Sequence, residues 1–377
     1  MTHAFDFESL VELCHKTHEE TQGRAARSVD LALVVRNWLF GWYIVEFEQN
    51  GADRAEYGVE LINKLADKLA IKGCSRRGLA LSRKFYRCHS EILQTLSAES
   101  HIELPGKALG VSLAASDQSL TAHLGQPGIL QTLSAELAQQ FVLGWSHHVA
   151  LLTIDNPDER RFYEIEAAQN QWSVRELERQ IASSLFERLA LSRDKEEIRT
   201  LSRQGQVIEK AADLIKNPMV LEFLGLEEKP AYSESDLESA IIDRLGNFLL
   251  ELGKGFLFEA RQKRFTFDND HFYVDLVFYN RLLRCYVLID LKRDKLAHRD
   301  LGQMQMYVNY FDRFVKTADE LPTIGILLAH RKNDALVELT LPKDANIFAS
   351  KYQLYLPSKE ELKAQLEKIQ AELGGGE

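Results

Sequence analysis

The 377-residue chain has only four cysteines and no C-x-x-C pair among them. Cys14, Cys74, Cys88 and Cys285 are scattered, which excludes a cysteine zinc framework and a disulfide scaffold and suits a reducing cytoplasm. Membrane-length apolar runs are lacking as well. The most apolar stretch, "LALVVRNWLFGWYIVEF" (31–47), is broken by Arg36, Asn37 and Glu46 and reads as a buried helix. The opening "MTHAFDFESLVELCHKTHEE" is polar and acidic, unlike a secretory signal. Net positive charge is missing too: the formal net charge of −10 argues against non-specific coating of nucleic acid. No internal repeat is visible. The expectation is a soluble cytoplasmic protein of two or three domains, with no membrane partner.

What is present is unevenly arranged. The first half reads as helices. "RAEYGVELINKLADKLAIKG" is amphipathic and stops at Gly73, and "CSRRGLALSRKFYRCHSEIL" restarts at once with Ser75 as its N-cap. Two helices joined by so tight a turn suggest a helix-turn-helix. The second of them carries Arg76, Arg77, Arg83, Lys84 and Arg87 without one acid between, a candidate DNA-binding face. The weakly charged 105–131 segment reads as a long connection, and Ser173-x-x-Glu176 as a capping box. The polar 225–236 segment, with Pro230, reads as a linker. The pattern then changes to α-β-β-β-α-β, an α/β sheet behind a helical first half. The expected domains are therefore 1–224 (helical, binding DNA or a partner), 225–236 (linker) and 237–377.

The chemistry lies in "YVDLVFYNRLLRCYVLIDLKRDK" (273–295). Two strands that otherwise read as buried carry Asp275 on the first and Asp290 and Lys292 on the second. A carboxylate in an apolar strand costs several kcal/mol unless it is paired or bound to a cation. Residues two apart leave the same face of a strand, so Asp290 and Lys292 are neighbours. An antiparallel turn would bring Asp275 to the same spot. Oxygen-only ligands favour Mg²⁺ or Mn²⁺ over zinc. The preceding helix offers a third carboxylate, Glu238, about 30° from the middle of its apolar stripe, with Glu251 about 110° away. Glu238 could instead only cap its own helix, as Ser235-x-x-Glu238.

These elements resemble the PD-(D/E)XK nuclease superfamily, whose core is α-β-β-β-α-β with Asp in the second strand and (Asp/Glu)-x-Lys in the third. "FLLELGKGFLFEARQKR", "FYVDLVFYNRLLRCYVLIDLK" and "GQMQMY" look like its YhcG-like branch. "SRRGLALSRKFY", "LGWSHHVALL" and "WSVRELERQIASSLFERL" look like that branch's N-terminal domain, described as winged-helix-like. The resemblance implies a restriction-endonuclease-like fold and a metal-dependent DNA endonuclease, with branched or foreign DNA as expected substrate. It implies Mg²⁺ (or Mn²⁺) on Asp275, Asp290 and the Leu291 carbonyl, with Lys292, at a lowered pKa, holding or activating water. Glu238 is the expected first-helix glutamate, and Gln303 of "GQMQMY" a site-lining residue. Arg261 and Gln262 on the first strand are further DNA-contact candidates. A second copy of the chain is the other expected partner. Two rival readings stand beside this one: a catalytically silent nucleic-acid-binding module on a nuclease fold, and a helix-turn-helix regulator.

Overall fold

A computed structural model describes residues 6–22, 26–50, 60–71, 74–92, 129–191, 193, 195–226, 232–331, 334–342 and 345–365. Gly73 and most of the 105–131 connection lie outside them, although a helix has begun by Ile129. Among the described residues no helix is long and apolar enough to cross a membrane. The chain divides into two compact units. One comprises residues 1–160 and 167–177, the other 161–166 and 178–377.

The first unit is built on helices α1 (Phe7–Gln22), α2 (Ala26–Asn50), α3 (Leu61–Leu69), α4 (Arg76–Cys88), α5 (Ile129–Gln140) and α6 (Trp145–Leu151). The apolar 31–47 stretch forms the middle of α2, and Trp38, Trp42, Tyr43 and Phe47 are fully buried there. Gly41 explains how α4 packs so closely on it, because a Cβ at 41 would strike the Ser82 carbonyl. Ser75 caps α4 as expected, its side chain accepting from the Gly78 N–H at 3.2 Å. The Ser173–Glu176 capping box also forms, with reciprocal bonds of 2.6 and 3.3 Å. Among the described residues of this unit the regular elements are all helices, so the wing implied by the resemblance is not among them.

The second unit carries a six-stranded sheet in the order β1-β6-β5-β4-β3-β2. Its strands are β1 (Met219–Val220), β2 (Phe256–Phe267), β3 (Asp270–Asn280), β4 (Cys285–Lys295), β5 (Ile324–Arg331) and β6 (Ile347–Gln353). β2, β3 and β4 pair antiparallel, whereas β4, β5, β6 and β1 run parallel. The expected α-β-β-β-α-β order holds. Its first helix breaks at Arg244 into α11 (Glu234–Asp243) and α12 (Leu245–Leu252), the four helices between residues 157 and 204 being α7 to α10 in chain order. The second helix of the core is α13 (His298–Phe314). The expected linker lies partly outside the described residues, at 227–231, and the edge strand β1 precedes it.

The near-continuous apolar run of β4 follows from cover on both faces. Leu237, Ile241, Phe248 and Leu252 of α11 and α12 pack with Val287, Ile289 and Leu291 on one side. Leu301, Met304, Tyr307, Val308 and Phe311 of α13 pack with Leu288 on the other. Burying each such side chain contributes roughly 1.5–3 kcal/mol, so both helices are held firmly against the strand that bears Asp290 and Lys292.

Candidate active site

β3 and β4 pair through Leu276↔Ile289, and the next step along that register sets Asp275 opposite Asp290. There the backbone ladder gives way to a side-chain contact: the Leu291 N–H donates to Asp275 Oδ2 at 2.8 Å. Asp290 is buried, and the Lys292 ammonium lies 2.7 Å from its Oδ2. The same ammonium is 4.0 Å from Glu234 in the first turn of α11. The three residues expected to converge do so.

Burial, and after it the charge of Asp275, push the Asp290 pKa up, against the opposing pull of Lys292. Two carboxylates meeting in a low-dielectric pocket repel, and a cation between them relieves that cost. In the protein alone, burial would lower the Lys292 pKa, but Asp290, Glu234 and Asp275 outweigh burial and raise it.

Glu238 is the first-helix carboxylate that reaches the site. The capping box at this helix is Ser233–Asp236, two residues earlier than expected, so Glu238 is not consumed in capping. It is buried, and Arg261 Nε donates to its Oε1 at 2.5 Å. The Gln262 amide nitrogen donates both to Glu238 Oε2 and, at 3.0 Å, to Asp275 Oδ1. Arg261 and Gln262, expected as DNA contacts, are thus tied to the carboxylates.

Glu251 belongs elsewhere. It was expected off the apolar stripe, yet it is fully buried, because Arg188 (2.5 Å), Arg179 (3.4 Å) and the Val220 N–H (3.0 Å) surround its carboxylate. Burial would raise its pKa, but Arg188, Lys216 and Arg179 together depress it to about 2. Arg179 and Arg188 come from far upstream in the chain, so helical periodicity around Glu251 could not reveal them.

Gln303 donates to the Tyr307 hydroxyl one turn further along α13. Tyr307 is buried and feels the charges of Asp290, Lys292 and Asp275; burial foremost raises its pKa. Sequence reasoning did not name Tyr307, although its i, i+4 relation to Gln303 on a helix covering β4 was a usable signal. On α4, the basic residues have acidic partners: Arg76 with Asp67, Arg83 and Arg87 with Glu48, and Lys84 with Asp155. Arg77 is exposed.

Residues 212–367 match the family model described as YhcG PDDEXK nuclease domain, and residues 14–188 match the DUF1016 N-terminal domain. The Escherichia coli (strain K12) protein named "Putative nuclease YhcG" is 38% identical over 375 residues, covering 98% of this chain and 95% of that one. A crystal structure of a repair endonuclease from Pyrococcus abyssi aligns with 34% of this chain and 50% of that chain, at 20% identity and a TM-score of 0.23, a likeness too loose to carry an argument. The chain belongs to the YhcG family of PDDEXK nucleases, with a DUF1016 N-terminal domain ahead of its nuclease domain.

Proposed function

We propose that the protein is a metal-dependent DNA endonuclease that hydrolyses phosphodiester bonds. The observation that carries this reading is the meeting of Asp275, Asp290 and Lys292 across β3 and β4. The donor set fits a hard divalent cation, Mg²⁺ or Mn²⁺: it consists of carboxylates, one of them pressed towards its neutral form first by burial and then by the charge of the other. Asp275, Asp290 and the Leu291 carbonyl are the residues that would hold the ion. When bound, the ion supplies charge neutralisation at the scissile phosphate and a more acidic water.

The chain's own groups do the rest. Lys292, its ammonium 2.7 Å from Asp290, orients the attacking water or a phosphate oxygen. Glu238 completes the acidic set from α11. Gln303 and Tyr307 form a hydrogen-bonded pair on α13 that feels the charges of Asp290 and Asp275, and its role is to contact phosphate or water. Helix α4 is the proposed DNA-facing element of the first unit. Exposed ion pairs are worth about 0–1 kcal/mol, so DNA phosphates can exchange for Asp67 or Asp155 at little cost.

The test is a cleavage panel of plasmid, linear, branched, modified and single-stranded DNA, each with Mg²⁺, Mn²⁺ or EDTA. Cleavage of at least one substrate with a metal ion, abolished by EDTA, is the expected result. Binding without cleavage throughout the panel would favour the silent-module reading instead.

A further inference from the structure

Gln262 sits at an unusual point of β2. Its φ of +47° is left-handed, in the middle of a strand, and the residue is not glycine. Just upstream, the register with β3 shifts between Phe258 and Ala260, and beyond that shift the pairs Arg261↔Leu276 and Lys263↔Val274 bracket Gln262 and Asp275. Neighbouring strand residues ordinarily project to opposite faces. Here Arg261 and Gln262 both reach the Glu238 carboxylate, one on each oxygen. The left-handed turn at Gln262 is what makes that possible. Sparsely populated backbone of this kind persists where its surroundings over-determine it, and it concentrates at functional sites.

The consequence lies with the carboxylates. Glu238 comes from α11 and Asp275 from β3, and one amide nitrogen donates to both. The other Asp275 oxygen is taken by the Leu291 N–H. Asp275 is therefore held in a single orientation from two sides, and Glu238 is tied to it.

We infer that Gln262 is a positioning residue of the metal centre, which fixes Glu238 and Asp275 in the relation that cation binding requires. This rests on the reading of the carboxylate set as a Mg²⁺ or Mn²⁺ site. Groups that orient ligating carboxylates in this way govern metal affinity by about 10- to 100-fold. Gln262 is itself exposed, so replacing it removes little packing.

The test is Mn²⁺ binding by the full chain without DNA, followed by electron paramagnetic resonance of free Mn²⁺, together with the thermal midpoint in EDTA. Two variants separate positioning from structure. Gln262→Gly accepts the left-handed backbone without strain, so its midpoint in EDTA should equal or exceed that of the wild type. Gln262→Ala keeps the strain and should melt lower. Both should bind Mn²⁺ at least ten-fold more weakly than the wild type. Affinity that tracks the melting point instead, kept by the glycine variant and lost only by the alanine variant, would make the role structural and overturn the proposal. Tighter Mn²⁺ binding by Gln262→Gly would overturn it in the other direction, by showing that the amide obstructs the ion. If the wild type itself shows no saturable Mn²⁺ binding, the metal reading fails and this inference falls with it.

Discussion

The Lys292 ammonium lies 2.7 Å from the Asp290 carboxylate, two residues away on the same strand, with Asp275 facing both from β3. This contact sets Lys292 against a proposed metal ligand, too close to be an ordinary rim cation. Lys292→Met should lower the single-turnover cleavage rate by at least about 100-fold, while DNA affinity measured in Ca²⁺ stays within a few-fold. Full recovery of the rate at saturating Lys292→Met enzyme would reduce the residue to a binding contact.

Glu238 and Glu251 should separate cleanly. Glu251→Gln leaves Arg188 buried without its counter-charge and should cost about 3–5 kcal/mol in urea unfolding. Because the Glu251 pKa is depressed to about 2, its contribution is complete above the unfolded glutamate value of about 4.3 and is lost as pH falls through about 2. Wild type should therefore lose stability more steeply than Glu251→Gln on acidification. Glu238→Gln should instead lose cleavage with a stability change of about 1 kcal/mol or less. The reverse ranking of activities would move the first-helix glutamate to Glu251.

Asp290 has the opposite linkage. With its pKa raised in the folded state, the native protein holds a proton that the unfolded chain has released, so stability falls as pH rises from the ordinary aspartate value of about 3.9 through the folded one. Asp290→Asn lacks that loss. In EDTA its thermal midpoint should fall less between pH 5 and pH 9 than that of the wild type. A steeper fall in the variant would contradict the repulsion between Asp275 and Asp290.

For helix α4, Arg83→Ala should weaken DNA binding and reduce its salt slope by about one, with cleavage at saturating enzyme nearly intact. Arg83 also pairs with Glu48, at 2.6 Å, so Glu48→Gln serves as the control. If Arg83→Ala and Glu48→Gln weaken binding equally, the arginine acts by shaping the helix and not by touching phosphate.

The strand pattern and the Asp275, Asp290 and Lys292 constellation were legible in the sequence because both depend on period-two alternation and a short turn. Ser75 and Ser173 were legible for a similar reason, since a cap is a contact three residues long. What failed depended on distance. The burial of Glu251 is set by Arg179 and Arg188, more than sixty residues upstream. The tie between Gln262, Glu238 and Asp275 rests on a left-handed residue inside a strand, which alternation argues against. The α-helix at Glu238 began two residues earlier than expected because Ser233 and Asp236 cap it as well as Ser235 and Glu238 could have done.

The central claim is that Asp275 and Asp290 form a metal-dependent phosphodiesterase centre. The most direct measurement compares cleavage by wild-type, Asp275→Asn and Asp290→Ala protein, purified in parallel, on whichever DNA the wild type cuts, with Mg²⁺, Mn²⁺ or EDTA. The account predicts cleavage by the wild type with a metal ion alone, and none by either folded variant under any condition. Cleavage by pure Asp290→Ala at the wild-type rate would contradict it.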